Sequence, residues 1–91
     1  MTAAVEHKLK TLAPYWDAIH RGEKLFEVRR DDKGFQKGDF LLLQKFDGKY
    51  YETEGFEISA PIKTLRKKIT YILTGGQFGI QPGYVVLGLE P

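Results

Sequence analysis

"GEKLFEVRR", residues 22–30, is the stretch on which the reading of this chain turns. It interleaves two carboxylates and three cations with three large apolar side chains. An extended backbone sends alternate side chains to opposite faces, so Phe26 and Val28 share one face while Leu25, Glu27 and Arg29 share the other. By hydrophobicity the first is the expected core face. The second presents a carboxylate and a guanidinium two residues apart, pointing the same way. The segment is either a strand with an ordinary wet face or a strand that carries a site.

Upstream, "VEHKLKTL" (5–12) alternates Val5, His7 and Leu9 against Glu6, Lys8 and Lys10, the pattern of a strand with one wet face. "APYWDAIHRG" (13–22) reads as a short helix. Pro14 suits the first turn, where its missing N–H has no partner to lose. Tyr15, Trp16 and Ile19 share a face, His20 sits at its edge beside Trp16, and Gly22 is the expected C-terminal stop.

Downstream, "DDKGFQKGD" (31–39) is a turn region punctuated by Gly34 and Gly38. "FLLLQKF" (40–46) is apolar enough to expect burial on both faces. Asp47-Gly48-Lys49 signals a hairpin, with "YYETEGF" (50–56) as its returning strand. "ISAPIKT" (58–64) reads as a loop, "LRKKITYILT" (65–74) as a strand and "GGQFGIQPG" (75–83) as a glycine-rich loop. "YVVLGLE" (84–90) closes the chain with Val85, Leu87 and Leu89 on one face. About five or six strands and one helix near the N-terminus predict an α+β domain: a small, twisted, mixed β-barrel with a helix on one side.

Size and composition bound the function. The 91 residues, 42% hydrophobic, make one domain over residues 1–91 with a single core. Without cysteine there is no disulfide framework, thiolate metal site or cysteine nucleophile. The opening "MTAAVEHKLK" has neither the basic start nor the apolar run of a signal peptide, and no segment has the length of a membrane span, so a soluble cytoplasmic protein is expected. A formal charge of +2 does not by itself argue for nucleic acid; charge placement matters more.

The order strand, helix, Gly22-x-Lys24-x-x-Glu27-x-Arg29, then a Gly-Asp turn into an apolar strand resembles the ASCH domain, a relative of the PUA-like barrels with the signature GxKxxExR. It is most similar to a small ASCH-related family of uncharacterised bacterial and phage domains. That likeness also takes in His7-x-Leu9-Lys10, Phe35-x-x-Gly38-Asp39, the run Ile69 to Leu73, and Phe78-Gly79-Ile80. The resemblance implies a PUA-like barrel with a cleft near the helix and the signature strand, and a link to RNA or modified nucleosides. Some ASCH proteins are amidohydrolases that deacetylate N4-acetylcytidine with the motif lysine, a threonine three residues later and a distal glutamate. Here Lys24 matches the lysine but Glu27 replaces the threonine, which counts against that activity.

Lys24, Glu27 and Arg29 are the leading candidates. Arg29 offers a planar fork for phosphate or a base edge, Lys24 a point charge, and Glu27 an orienting acceptor. The plainer alternative is a structural Glu27–Arg29 ion pair at the helix-to-strand corner. His7 lies on the apolar parity of its strand, so it and Lys10 are candidates for the same cleft, against a satisfied histidine at the core edge. Phe78 is a candidate lid or stacking surface, against a plug for the barrel end. Lys63, Arg66, Lys67 and Lys68 form the densest basic patch, a phosphate track or a solvated strand edge. Two histidines on separate elements make a metal site improbable, and no cofactor is expected. The reading is an RNA- or nucleotide-binding module. Its alternatives are a hydrolase of a modified nucleoside, using Lys24 and Glu27, and a protein-interaction adaptor with the motif purely structural.

Overall fold

A computed structural model describes residues 3–91; Met1 and Thr2, which open the single domain expected over residues 1–91, lie outside it. The first strand, β1 (Glu6–Leu12), follows its alternation from His7 onward: His7, Leu9 and Thr11 are buried between exposed Glu6, Lys8 and Lys10, whereas Val5, expected on the buried face, precedes the strand and is 49% exposed. It runs directly into α1 (Ala13–His20), whose start has no side-chain cap and relies on proline in the first turn. The helix ends as expected at Gly22, whose φ of 79° suits a residue without a Cβ. Trp16 and Ile19 are its buried residues; Tyr15, expected beside them, is 53% exposed.

The other strands are β2 (Phe26–Arg30), β3 (Phe40–Phe46), β4 (Thr64–Thr74) and β5 (Tyr84–Leu89). They form one mixed sheet in the order β1-β3-β4-β5-β2. The β1–β3 pair is parallel and all other pairs are antiparallel. The sheet curls into a half-barrel around Leu9, Leu41, Leu43, Ile69, Val85, Leu87 and Leu89, with Trp16, Ile19 and Phe35 packed into the same core. The indole N–H of Trp16 donates to the Leu43 carbonyl (2.8 Å), anchoring the helix over this inner face.

Three expectations are corrected. The β2 strand is inside out relative to its hydrophobicity: Phe26 and Val28 are 45% and 47% exposed, whereas Glu27 is buried. Burial on both faces fails for β3: Leu41 and Leu43 are fully covered, but Phe40 and Leu42 are only half-buried, because the helix lies on the inner face. Residues 50–56 do not return as a strand. Asp47 Oδ1 instead accepts the N–H groups of Lys49 (2.8 Å) and Tyr50 (2.6 Å), and the loop is held by single bridges at Phe46–Tyr51 and Thr53–Ile62. The antiparallel partner of β3 is β4, which sets Leu65 opposite Leu43 and carries Ile69 into the core. A stretch of tyrosines and glutamates has no comparable apolar face.

Candidate functional site: the Lys24–Glu27–Arg29 motif

The register of β2 on β5 places Glu27 opposite Leu87 and Arg29 opposite Val85, both core positions. A lone carboxylate there would be costly to desolvate. Glu27 has cations on both sides: Lys24 Nζ meets Oε1 at 3.0 Å and Arg29 Nε meets Oε2 at 3.0 Å. Its side chain is 6% exposed, while those of Lys24 and Arg29 keep 20% and 24%. The motif therefore packs a carboxylate inside and leaves its two counter-charges at the rim.

Arg29 makes the longer reach. Its Nη2 donates to the Lys10 carbonyl (3.0 Å) and the Thr11 hydroxyl (3.1 Å). Those residues lie on β1, the opposite edge of the sheet from β2. One guanidinium thus bridges the two edges where a closed barrel would have a backbone ladder. Thr11, unsingled by its sequence pattern, is the buried acceptor of this bridge.

Lys24 faces the other way. Its ammonium donates to the Phe26 carbonyl (2.7 Å) and lies 4.8 Å from the Phe26 ring centre and 5.5 Å from that of Tyr15. Tyr15, Lys24, Phe26, Glu27 and Val28 line an open cleft of about 240 Å³. Tyr15 and Phe26 are the site residues that sequence reasoning missed, because both were assigned inward. A half-exposed ring on each side of a motif lysine is the signal, and it is visible only in three dimensions.

The remaining candidates lie elsewhere. His7 is buried and its Nε2 is 2.9 Å from Asp39 Oδ2, with its ring edge-on to Phe35 at 4.8 Å. Asp39 also accepts the N–H groups of Val5 and Gln36. Burial pushes the Asp39 carboxyl up, but the His7 hydrogen bond, the two backbone donors and the His7 charge outweigh it and hold the group below its ordinary value. This is the satisfied core-edge histidine, about 13 Å along β1 from the Thr11 end. Lys10 contributes only its carbonyl to the motif; its ammonium lies over the Phe46 and Tyr51 rings at 4.9 and 5.7 Å. Phe78, at φ 52° and 82% exposed, projects from the β4–β5 loop and plugs nothing.

That loop is organised around its own backbone. Gly75 N–H donates to Tyr84 O (2.7 Å) and Gly76 N–H to Ile80 O (2.7 Å), so these donors are engaged within the loop. A Cβ at Gly75 would collide with the carbonyl oxygens of Gln81 and Tyr84, which is why glycine stands there. Among the described residues no three His, Asp or Glu side chains converge as a metal site, and no helix is long and apolar enough to cross a membrane.

Fold and site together define a small α+β half-barrel whose edges are joined by Arg29, itself held with Lys24 on one buried carboxylate. Residues 6–89 match the family described as a domain of unknown function (DUF3850), and the chain belongs to that family. No curated protein matches the chain.

Proposed function

We propose that this half-barrel is an ASCH-type member of the PUA-like group and that it binds RNA or a nucleotide in the Lys24 cleft. The observation that carries the reading is the Lys24 ammonium set between the half-exposed Tyr15 and Phe26 rings, with Glu27 behind it. Lysine supplies a point charge to a phosphate or base carbonyl oxygen, and the rings supply surfaces on which an unpaired base stacks. Glu27 holds the lysine in place, and Arg29 acts as a positioning residue, since its Nε and Nη2 are engaged with Glu27 and β1.

The hydrolase reading gains no support from this geometry. Both Glu27 oxygens already accept from cations, so the carboxylate is poorly placed to take a proton from water. Titration of the full chain with cytidine and uridine monophosphates, followed by NMR shifts, tests the binding reading. Saturable shifts confined to the surroundings of Tyr15, Lys24 and Phe26, weakened about tenfold or more in Lys24→Ala and in Tyr15→Ala, are expected from one lost charged contact or one lost stacking surface. Equal binding by folded parent and variants, or shifts elsewhere only, would sink it.

A further inference from the structure

The outward face of β1, β3 and β4 carries a second arrangement that the cleft does not use. Register aligns Glu6, Phe40 and Lys68 in one row, Lys8, Leu42 and Arg66 in the next, and Lys10, Gln44 and Thr64 in the third. Lys8 and Lys10 therefore form one basic rail, Arg66 and Lys68 another, on strands about 10 Å apart. Between them runs β3 with half-buried Phe40, Leu42 and Phe46. The Arg66 guanidinium lies 3.6 Å from the Phe40 ring centre, and the Lys10 ammonium sits over Phe46 and Tyr51. Glu6, bonded to Arg66 at 2.8 Å, is the one carboxylate in these rows.

We infer that this outer face is a track for single-stranded RNA, an inference that rests on the nucleic-acid reading of the cleft. The rails suit phosphates, and the aromatic strip with its stacked guanidinium suits unpaired bases. A duplex hides the ring faces that the strip would hold. A second copy of the chain would bring like-charged rails together. The track also adjoins the motif, because the Lys10 whose side chain lies on the rail gives its carbonyl to Arg29. A strand can therefore lie along the outer face and turn one nucleotide over the β1–β2 seam.

The experiment is fluorescence anisotropy of a labelled oligouridylate about twelve nucleotides long, within the range of known single-strand sites, over a salt series. The full chain is compared with Lys8→Gln/Arg66→Gln/Lys68→Gln and with Lys24→Ala, each checked for folding by circular dichroism. Expected for the triple variant is a loss of affinity of about tenfold or more, with the log K versus log salt slope shallower by about two, from three lost phosphate contacts on a single strand. Its mononucleotide titration should match the parent, which separates the track from the cleft. An unchanged affinity and slope in the triple variant overturns the track, as does an oligonucleotide that fails to bind or a duplex of equal length that binds as tightly. Oligonucleotide binding lost in the triple variant, with no mononucleotide binding by any protein, keeps the track and removes the cleft.

Discussion

At the scale of single residues, the chain places two carboxylates inside and satisfies each in its own way. Glu27 is held by two side-chain cations, Asp39 by a histidine and two backbone N–H groups. No buried side-chain nitrogen or oxygen among the described residues lacks a partner. Asp39 carries a pH signature. Its carboxyl is held below its ordinary value in the folded state, so the folded protein gives up that proton more readily than the unfolded chain. The resulting stability is fully present above the unfolded carboxyl value of about 4 and is lost as pH falls through the lower folded value. Urea unfolding between neutral and strongly acidic pH should show stability falling on this acid limb. In Asp39→Asn the fall should be shallower, at a lower neutral-pH stability. An acid limb unchanged by the substitution would contradict the assignment.

At the scale of elements, α1 is short and its tertiary anchor decides its place. Eight residues without a side-chain cap are too few to hold helical in isolation. Trp16 and Ile19 bury the inner face, and Lys45 of β3 pins the outer side by bonding Asp17 at 2.8 Å while lying over the Trp16 ring at 5.0 Å. The Asp17 hydrogen bond first, and then Glu52 at 3.3 Å, outweigh burial and hold the Lys45 ammonium above its ordinary value. Trp16→Phe keeps most of the apolar volume but removes the N–H that meets the Leu43 carbonyl. The expected loss is about 1–3 kcal/mol in denaturant unfolding, the range for leaving a buried acceptor unpaired. A loss below the error of the measurement would show that water takes the bond's place.

At the scale of the whole molecule, the half-barrel is closed by chemistry rather than by a strand ladder. β1 and β2 are the sheet's edges, and Arg29 spans them while Glu27 fixes its orientation. Lysine cannot reproduce this, because one ammonium lacks the fork that reaches two directions at once. Arg29→Lys should therefore lower stability by about 1–3 kcal/mol and speed amide hydrogen exchange in β1 and β2 more than in β3 and β4. Uniform acceleration across all five strands would mean that Arg29 supports the core generally and does not hold a seam.

Local pattern alone determined much of this protein: β1 with its buried parity from His7 on, the helix and its glycine stop, the turn at Gly38, β4, and β5 with Val85, Leu87 and Leu89 inward. Alternation also set Glu27 beside Arg29, and the resemblance to the GxKxxExR signature added Lys24; the structure holds the three as one bonded group. Which face of β2 is inside was decided only by tertiary structure. Alternation states which residues share a face; it does not state where that face points, and hydrophobicity chose Phe26 and Val28. The outcome is reversed because cations from residues 24 and 29 make burial of Glu27 tolerable, and because an acceptor at Thr11, distant in sequence, lets Arg29 join the edges. The pairing of β3 with β4, the Asp39 partner of His7 and the aromatic walls around Lys24 have the same origin. Each depends on residues far apart in the chain, and only the folded sheet brings them together.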